Sequence, residues 1–129
     1  MKHFGQSVLI AALQLVAVPV FAAEGNPKEG EEVFKACRAC HQVGPTAKNA
    51  LGPVLNGILG RKAGTIEGFN YSPANLKAGE DGWVWTEANL TKYLENPRTA
   101  MPGNRMAFAG VKDDQDRLDL VAYLKTLAK

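Results

Sequence analysis

Residues 43–82 limit what this chain can become more than any other part of it. They carry eight of the thirteen glycines, together with Pro45, Pro53 and Pro73. Such a run reads as loop, with short turns of helix expected at 54–59 and after Ser72-Pro73. Structureless connections longer than about 12 residues are uncommon in compact domains, so this one needs something to lie against. The flanking segments supply helices. Asn26-Pro27 pairs an N-cap with proline at the first helical position, and Glu29, Glu31 and Glu32 suit the positive helix end. Gly30, Val33, Phe34 and Cys37 share one face, which predicts a first helix ending near His41. Thr86 caps a second, with Leu90, Tyr93 and Leu94 on one face, stopped at Asn96-Pro97. Residues 97–110 read as irregular. A last helix from Asp113 or Asp114 turns Leu118, Val121, Ala122 and Leu124 inward. No stretch alternates in the manner of a strand. The expected class is all-α: three main helices and some short ones holding long Gly/Pro loops.

At 129 residues the chain has room for one domain. Its formal charge of +2 is too small to favour non-specific nucleic-acid binding, so no nucleic-acid partner is expected. Residues 1–22 differ in kind from the rest. Met1-Lys2-His3 is a cationic start, residues 8–21 are apolar apart from Gln14, and Val20-Phe21-Ala22 offers a leader-peptidase site. The apolar run falls short of the roughly 20 residues a bilayer span requires, and Pro19 sits near its end. Residues 1–22 are therefore expected to be a cleaved secretory signal, with an uncleaved anchor as the rival. Residues 23–129 then form the mature domain, without a membrane span. It keeps His41 as its one histidine and Met101 and Met106 as its methionines. Export also implies an oxidising compartment, where a free dithiol needs explaining.

Cys37-Arg38-Ala39-Cys40-His41 explains both the dithiol and the loops. C-x-x-C-H is the spacing at which two thiols add across the two vinyl groups of a haem, with the following histidine under the iron. A large apolar prosthetic group also gives the loops a surface. A thioredoxin-like site would place C-x-x-C at a helix start after a strand. A zinc site would need a fourth ligand that the mature chain lacks. A Cys37–Cys40 disulfide would close too small a loop to constrain much. A low-spin electron carrier needs a sixth ligand, for which methionine is a usual choice. A methionine is ordinarily core filler, but Met106 stands in an extended loop after Pro102-Gly103. Met101, directly before Pro102, is expected to pack against the ring edge.

Seven segments in order resemble the class I cytochromes c, closest to the mitochondrial type and the bacterial cytochrome c2 group. They are Gly30-x-x-Val33-Phe34-x-x-Cys37-x-x-Cys40-His41, Leu51-Gly52-Pro53, Gly60-Arg61-Lys62-Ala63-Gly64, Gly68-Phe69-Asn70-Tyr71, Tyr93-Leu94-Glu95-Asn96-Pro97, the run from Pro102 through Met106 to Gly110, and Ala122-Tyr123-Leu124-Lys125. The resemblance implies the cytochrome c fold wrapped around one haem c, linked through Cys37 and Cys40. It implies His41 and Met106 as axial ligands and the Pro53 carbonyl as acceptor for the His41 Nδ1–H. Tyr93 would sit beside the Met106 sulfur with Asn75 near it, and Tyr71, Trp85 and Arg61 would meet the haem propionates.

The activity so implied is outer-sphere electron transfer by a periplasmic carrier, not an enzyme. A closed sixth position leaves no room for a substrate. Phe34, Leu55, Leu90, Leu94, Phe108 and Leu124 are expected to keep water from the ring. The compatible partners are a quinol-cytochrome c reductase upstream and a terminal oxidase, photosynthetic reaction centre or reductase downstream. They would dock on a monomer at a basic haem edge carrying Lys35, Arg38, Arg98, Arg105 and Lys112, while Asp113, Asp114, Asp116 and Asp119 cluster in the last helix. Three departures stand out. The first helix is one residue shorter before Cys37 than in the mitochondrial type, Glu80-Asp81-Gly82-Trp83 reads as an insertion, and Asn104 stands where the mitochondrial pattern has threonine. The hydrogen bond to a propionate is expected to differ there.

Overall fold

A computed structural model describes residues 15–18 and 23–128. The expected leader therefore lies outside the described residues, except for 15–18, which are exposed coil. Helix α1 spans Pro27–Phe34, α2 Pro73–Glu80, α3 Glu87–Glu95, α4 Pro97–Ala100 and α5 Asp114–Lys125. Among the described residues the extended pairing is a single antiparallel bridge, Lys62 with Val84. The class is all-α, as expected.

Local chemistry explains most of the helix starts. Asn26, Ser72, Thr86, Asn96 and Asp113 are N-caps whose side chains accept backbone N–H groups, satisfying donors the first turn leaves over. Pro27, Pro73 and Pro97 follow three of them at the first turn. The first helix, expected to run to His41, ends at Phe34 and tightens into a 3₁₀ turn at Lys35–Cys37. The Cys37 carbonyl then accepts the N–H groups of both Cys40 (3.1 Å) and His41 (3.0 Å). The loop region holds more helix than expected, since Ser72 starts the full eight-residue α2. Residues 54–59 remain turns. The segment 97–110, read as wholly irregular, opens with the helical turn α4.

Helix α1 crosses α5 at very close range. A Cβ on Gly30 would stand 1.9 Å from the Asp119 carbonyl oxygen, so only glycine permits this approach. Phe34 and Leu120 are fully buried in the contact, and the Tyr123 ring lies 5.3 Å from that of Phe34. Complete burial of each aliphatic or aromatic side chain contributes about 1.5–3 kcal/mol. The inner face of α5 differs in detail from the expected one. Leu120, Val121 and Leu124 are buried, whereas Leu118 and Ala122 are half-buried. Arg117 and Asp119 are buried instead, a cost offset by the bonds both make, although Arg117 Nε has no partner among the described residues. Arg117 donates to the carbonyls of Val111 (2.7 Å) and Lys112 (3.1 Å) and pairs with Asp114. Asp119 accepts the Asn26 N–H at 2.7 Å and the Gln115 amide at 2.9 Å. These bonds tie the start of α1 and the 101–112 loop to α5, leaving a hollow between α1, α3, α5 and the glycine-rich loops.

Candidate functional site

The hollow is a cavity of about 520 Å³ lined by Cys37, Cys40, His41 and Met106 together, within the size range of cofactor sites. All six side chains expected to exclude water line it, with Phe34, Leu90, Leu94 and Leu124 buried. Pro53, Arg61, Tyr71, Asn75, Trp85 and Tyr93 line it too. The site residues read from the sequence are thus brought to one place.

His41 is held from two directions. Its Nδ1 lies 2.7 Å from the Pro53 carbonyl oxygen. A carbonyl can only accept, so Nδ1 carries the proton and Nε2 is left as the electron-pair donor. Beneath the ring lies Gly52, where a Cβ would come within 2.4 Å of Cε1. Burial pulls the His41 pKa below its ordinary value; the Pro53 bond works against this shift, and the Arg61 charge adds to it. The neutral imidazole a metal requires is therefore the favoured form.

Burial, with Cys40 beside it, pushes the Cys37 thiol above its usual range. A thiol–disulfide enzyme needs the opposite shift, towards thiolate. On the other wall, Tyr93 donates its hydroxyl to the Met106 sulfur at 3.5 Å, and burial pushes the phenol up to about 12. The ring edge of Trp85 stands against Tyr93, with centroids 4.9 Å apart.

Three polar groups have capacity to spare. Asn75 Oδ1 is buried without a partner among the described residues. Tyr71 accepts the Ile66 N–H at 3.1 Å, so its own proton remains available. Arg61 donates to the carbonyls of Val54 (3.1 Å) and Asn56 (3.4 Å), and no carboxylate pairs with it among the described residues. An apolar cavity with two thiols, a free imidazole nitrogen, a thioether and unspent polar groups on its wall suits a haem bearing carboxylates.

Met101 is a correction. It is buried, but it lines a second, open groove beside Trp83 instead of the ring cavity. The groove lies next to the Glu80-Asp81-Gly82-Trp83 segment, where the Trp83 ring meets Trp85 at 5.6 Å. The expected docking cations are less available than their charges suggest. Lys35 pairs with Glu32 at 2.5 Å, and Arg38 stands 3.7 Å from Glu31 and over the Phe34 ring. Arg105 donates to the Tyr71 carbonyl, and the Lys112 ammonium caps the end of α3 at the Glu95 carbonyl (2.9 Å) and joins it to the Ala109 carbonyl of the following loop (2.8 Å). Arg98 is exposed.

The family model "Cytochrome c" matches residues 27–128. The chain belongs to the cytochrome c family. This cytochrome is 49% identical over 118 residues to cytochrome c2 of Rhodomicrobium vannielii, covering 92% of this chain and 91% of that one. It is 53% identical over 100 residues to cytochrome c-550 of Ancylobacter novellus, covering 78% and 94%. Among solved structures, cytochrome c2 of Rhodospirillum centenum superposes with a TM-score of 0.75 at 45% identity, over 81% of this chain and all of that one. As a class I c-type cytochrome the chain is an electron carrier with one covalent haem c, for which Cys37 and Cys40 are the two cysteines. Among the described residues, no helix is long and apolar enough to cross a membrane.

One feature of the wall escaped sequence reasoning. Phe69 lines the cavity and meets Tyr71 edge-on at 4.8 Å, a pairing signalled only by two aromatics at i and i+2. At Asn104, where the bond to a propionate is expected to differ, the side chain is spent on the Pro97 and Met101 carbonyls and the Met106 N–H.

Proposed function

We propose that this cytochrome is a periplasmic one-electron carrier whose haem iron is held by His41 and Met106. The observation that carries the reading is the pair of restraints on one cavity: the Pro53 carbonyl on His41 Nδ1 and the Tyr93 hydroxyl on Met106 Sδ. The haem supplies the one-electron couple. The chain's contribution is to keep both ligands in place in either state, so that few atoms move as an electron passes. The Pro53 carbonyl orients the imidazole and strengthens Nε2 as a donor. With haem bound, the Met106 sulfur as an iron ligand would raise the potential, and the apolar wall would work in the same direction by disfavouring the extra positive charge of the oxidised iron.

A closed pair of ligands separates this reading from its rivals. A thiol–disulfide enzyme would show no visible absorption and leave Cys37 and Cys40 open to alkylation. A gas-binding haem protein would be high-spin or react with carbon monoxide as isolated. The purified protein is expected to give sharp reduced bands and the weak near-infrared sulfur-to-iron band. Loss of that band in Met106→Ala supports the assignment, and its absence from the unmodified protein sinks it.

Export fits the leader-like residues 1–22, and the reading places the mature N-terminus at Ala23. Mass spectrometry of the exported protein checks this, and a retained leader would contradict it. Partners would be a quinol-oxidising complex upstream and an oxidase, reaction centre or reductase downstream. They would meet a monomer at the cavity mouth, where Leu51 is 81% exposed.

A further inference from the structure

We infer that Asn104 is a positioning residue for Met106 and sets the backbone that presents the thioether. The inference rests on the reading of Met106 as an iron ligand and goes past it, to what holds that side chain in place. Tyr93 fixes the sulfur from α3, but something must also fix the loop from which the sulfur projects. The loop enters through Met101-Pro102-Gly103-Asn104, a turn closed by the Asn104 N–H on the Met101 carbonyl at 3.2 Å. Proline at its second position and Gly103 at φ +87° at its third are the signature of a type II turn.

The Asn104 side chain then binds three backbone groups, one of them the same Met101 carbonyl. Its Nδ2 donates to the Pro97 carbonyl at 2.9 Å and to the Met101 carbonyl at 2.8 Å, while Oδ1 accepts the N–H of Met106 at 2.9 Å. The partners settle which way the amide faces. Turned over, it would set oxygen against two carbonyls and its NH₂ against an N–H. Pro97, the first of these anchors, is fully buried at the start of α4. One amide thus ties the Met106 backbone to a rigid helical turn and to the turn that precedes it.

The donor count has a consequence for the cavity. Asn104 joins the cavity wall, but both its hydrogens are already given to protein carbonyls. It has none left for a carboxylate. Where the mitochondrial pattern has threonine, this chain puts a side chain that faces inward on its own loop. The propionates are left to the unspent groups of Tyr71 and Arg61, and the Met106 loop gains a clamp.

The test compares Asn104→Ala and Asn104→Thr with the unmodified holoprotein. It follows hydrogen exchange at the Met106 amide and the near-infrared band through a urea titration. Removing the acceptor is expected to speed exchange at Met106 by roughly tenfold or more, with amides of α5 such as Leu120 changed far less. The band should disappear at lower urea than the helical signal in both variants, and the unmodified protein should lose the two together. Threonine, with one hydroxyl, should fall between alanine and asparagine, and it carries the test alone if the alanine variant does not fold. Unchanged Met106 exchange would overturn the inference, and so would equal acceleration at Leu120. The exchange comparison reads the clamp whether or not Met106 binds iron. A missing band in the unmodified protein would sink the ligand assignment separately.

Discussion

Gly52→Ala tests how tightly the chain holds its one cavity histidine. The Cβ would stand 2.4 Å from His41 Cε1, 2.7 Å from Nδ1 and 2.8 Å from Nε2, against 3.4–4 Å for ordinary contact. The ring or the backbone must therefore shift by about 1 Å. A ring displaced that far stretches the 2.7 Å bond to Pro53 beyond hydrogen-bonding range. The lost bond costs about 0.5–1.5 kcal/mol, and forcing a methyl into a packed site adds about 1–3 kcal/mol. A total near 3 kcal/mol corresponds to a fall of roughly 1–3 M in the urea midpoint of a small domain. Pro53→Ala is the matched control, because it keeps the carbonyl that accepts from Nδ1 and should move the midpoint far less. Urea unfolding of both holoproteins, followed by haem absorption and by far-ultraviolet dichroism, measures the difference. A Gly52→Ala midpoint within a few tenths of a molar of the unmodified protein would refute the reasoning, since the ring would then have room it does not have here.

Three further predictions follow from the same geometry. Met106→Ala should abolish the near-infrared band and lower the potential, while Met101→Ala should keep the band and cost about 2–5 kcal/mol of stability as a buried large-to-small change; potentiometry and thermal unfolding separate the two. Stability should fall as pH rises from about 10 towards 12, because the unfolded chain ionises at Tyr93 near 10 while the folded phenol is pushed up to about 12. Unfolding curves of Tyr93→Phe should lack that part of the alkaline loss. Lys112→Met should weaken the end of α3 by about 0.5–1.5 kcal/mol through its two carbonyl bonds, whereas an effect confined to the salt dependence of partner reduction would restore it to a docking role.

The parts legible in the sequence are those set by neighbours in the chain. Asn26-Pro27, Thr86 and Asp113 announce their helices because capping is a local bond, and Leu90, Tyr93 and Leu94 lie on the buried face of α3 for the same reason. What failed depends on partners outside the element. Asp119 goes inward on α5 because Asn26, 93 residues away, offers it a bond, and Arg117 turns in to the carbonyls of the loop just before its helix. The ordered motifs brought the cavity residues to notice together. No pattern could show that Met101 turns to a second groove, or that Asn104 and Lys112 would be claimed by carbonyls of their own fold.

Those claimed side chains also bear on how the protein meets a partner. Steered docking depends on cations whose field reaches solution, and it weakens with salt over about a Debye length. Around this cavity Lys35 and Arg38 have Glu32 and Glu31 beside them, and Arg105 and Lys112 are anchored to carbonyls. An exposed pair is worth at most about 1 kcal/mol, so a partner's carboxylates could compete for Lys35 and Arg38 at small cost. Arg105 and Lys112 are different, because withdrawing either would loosen the segment that carries Met106. On the proposed docking at the cavity mouth, electrostatic recognition would fall to Lys35 and Arg38 on the α1 side and to the exposed Arg98. The Met106 side would offer its backbone without yielding Arg105 or Lys112, and the exposed Leu51, next to the Gly52 that underlies His41, would add apolar contact on the histidine side. With a formal charge of only +2 over the whole chain, docking at the cavity mouth would rest less on long-range steering and more on short-range fit.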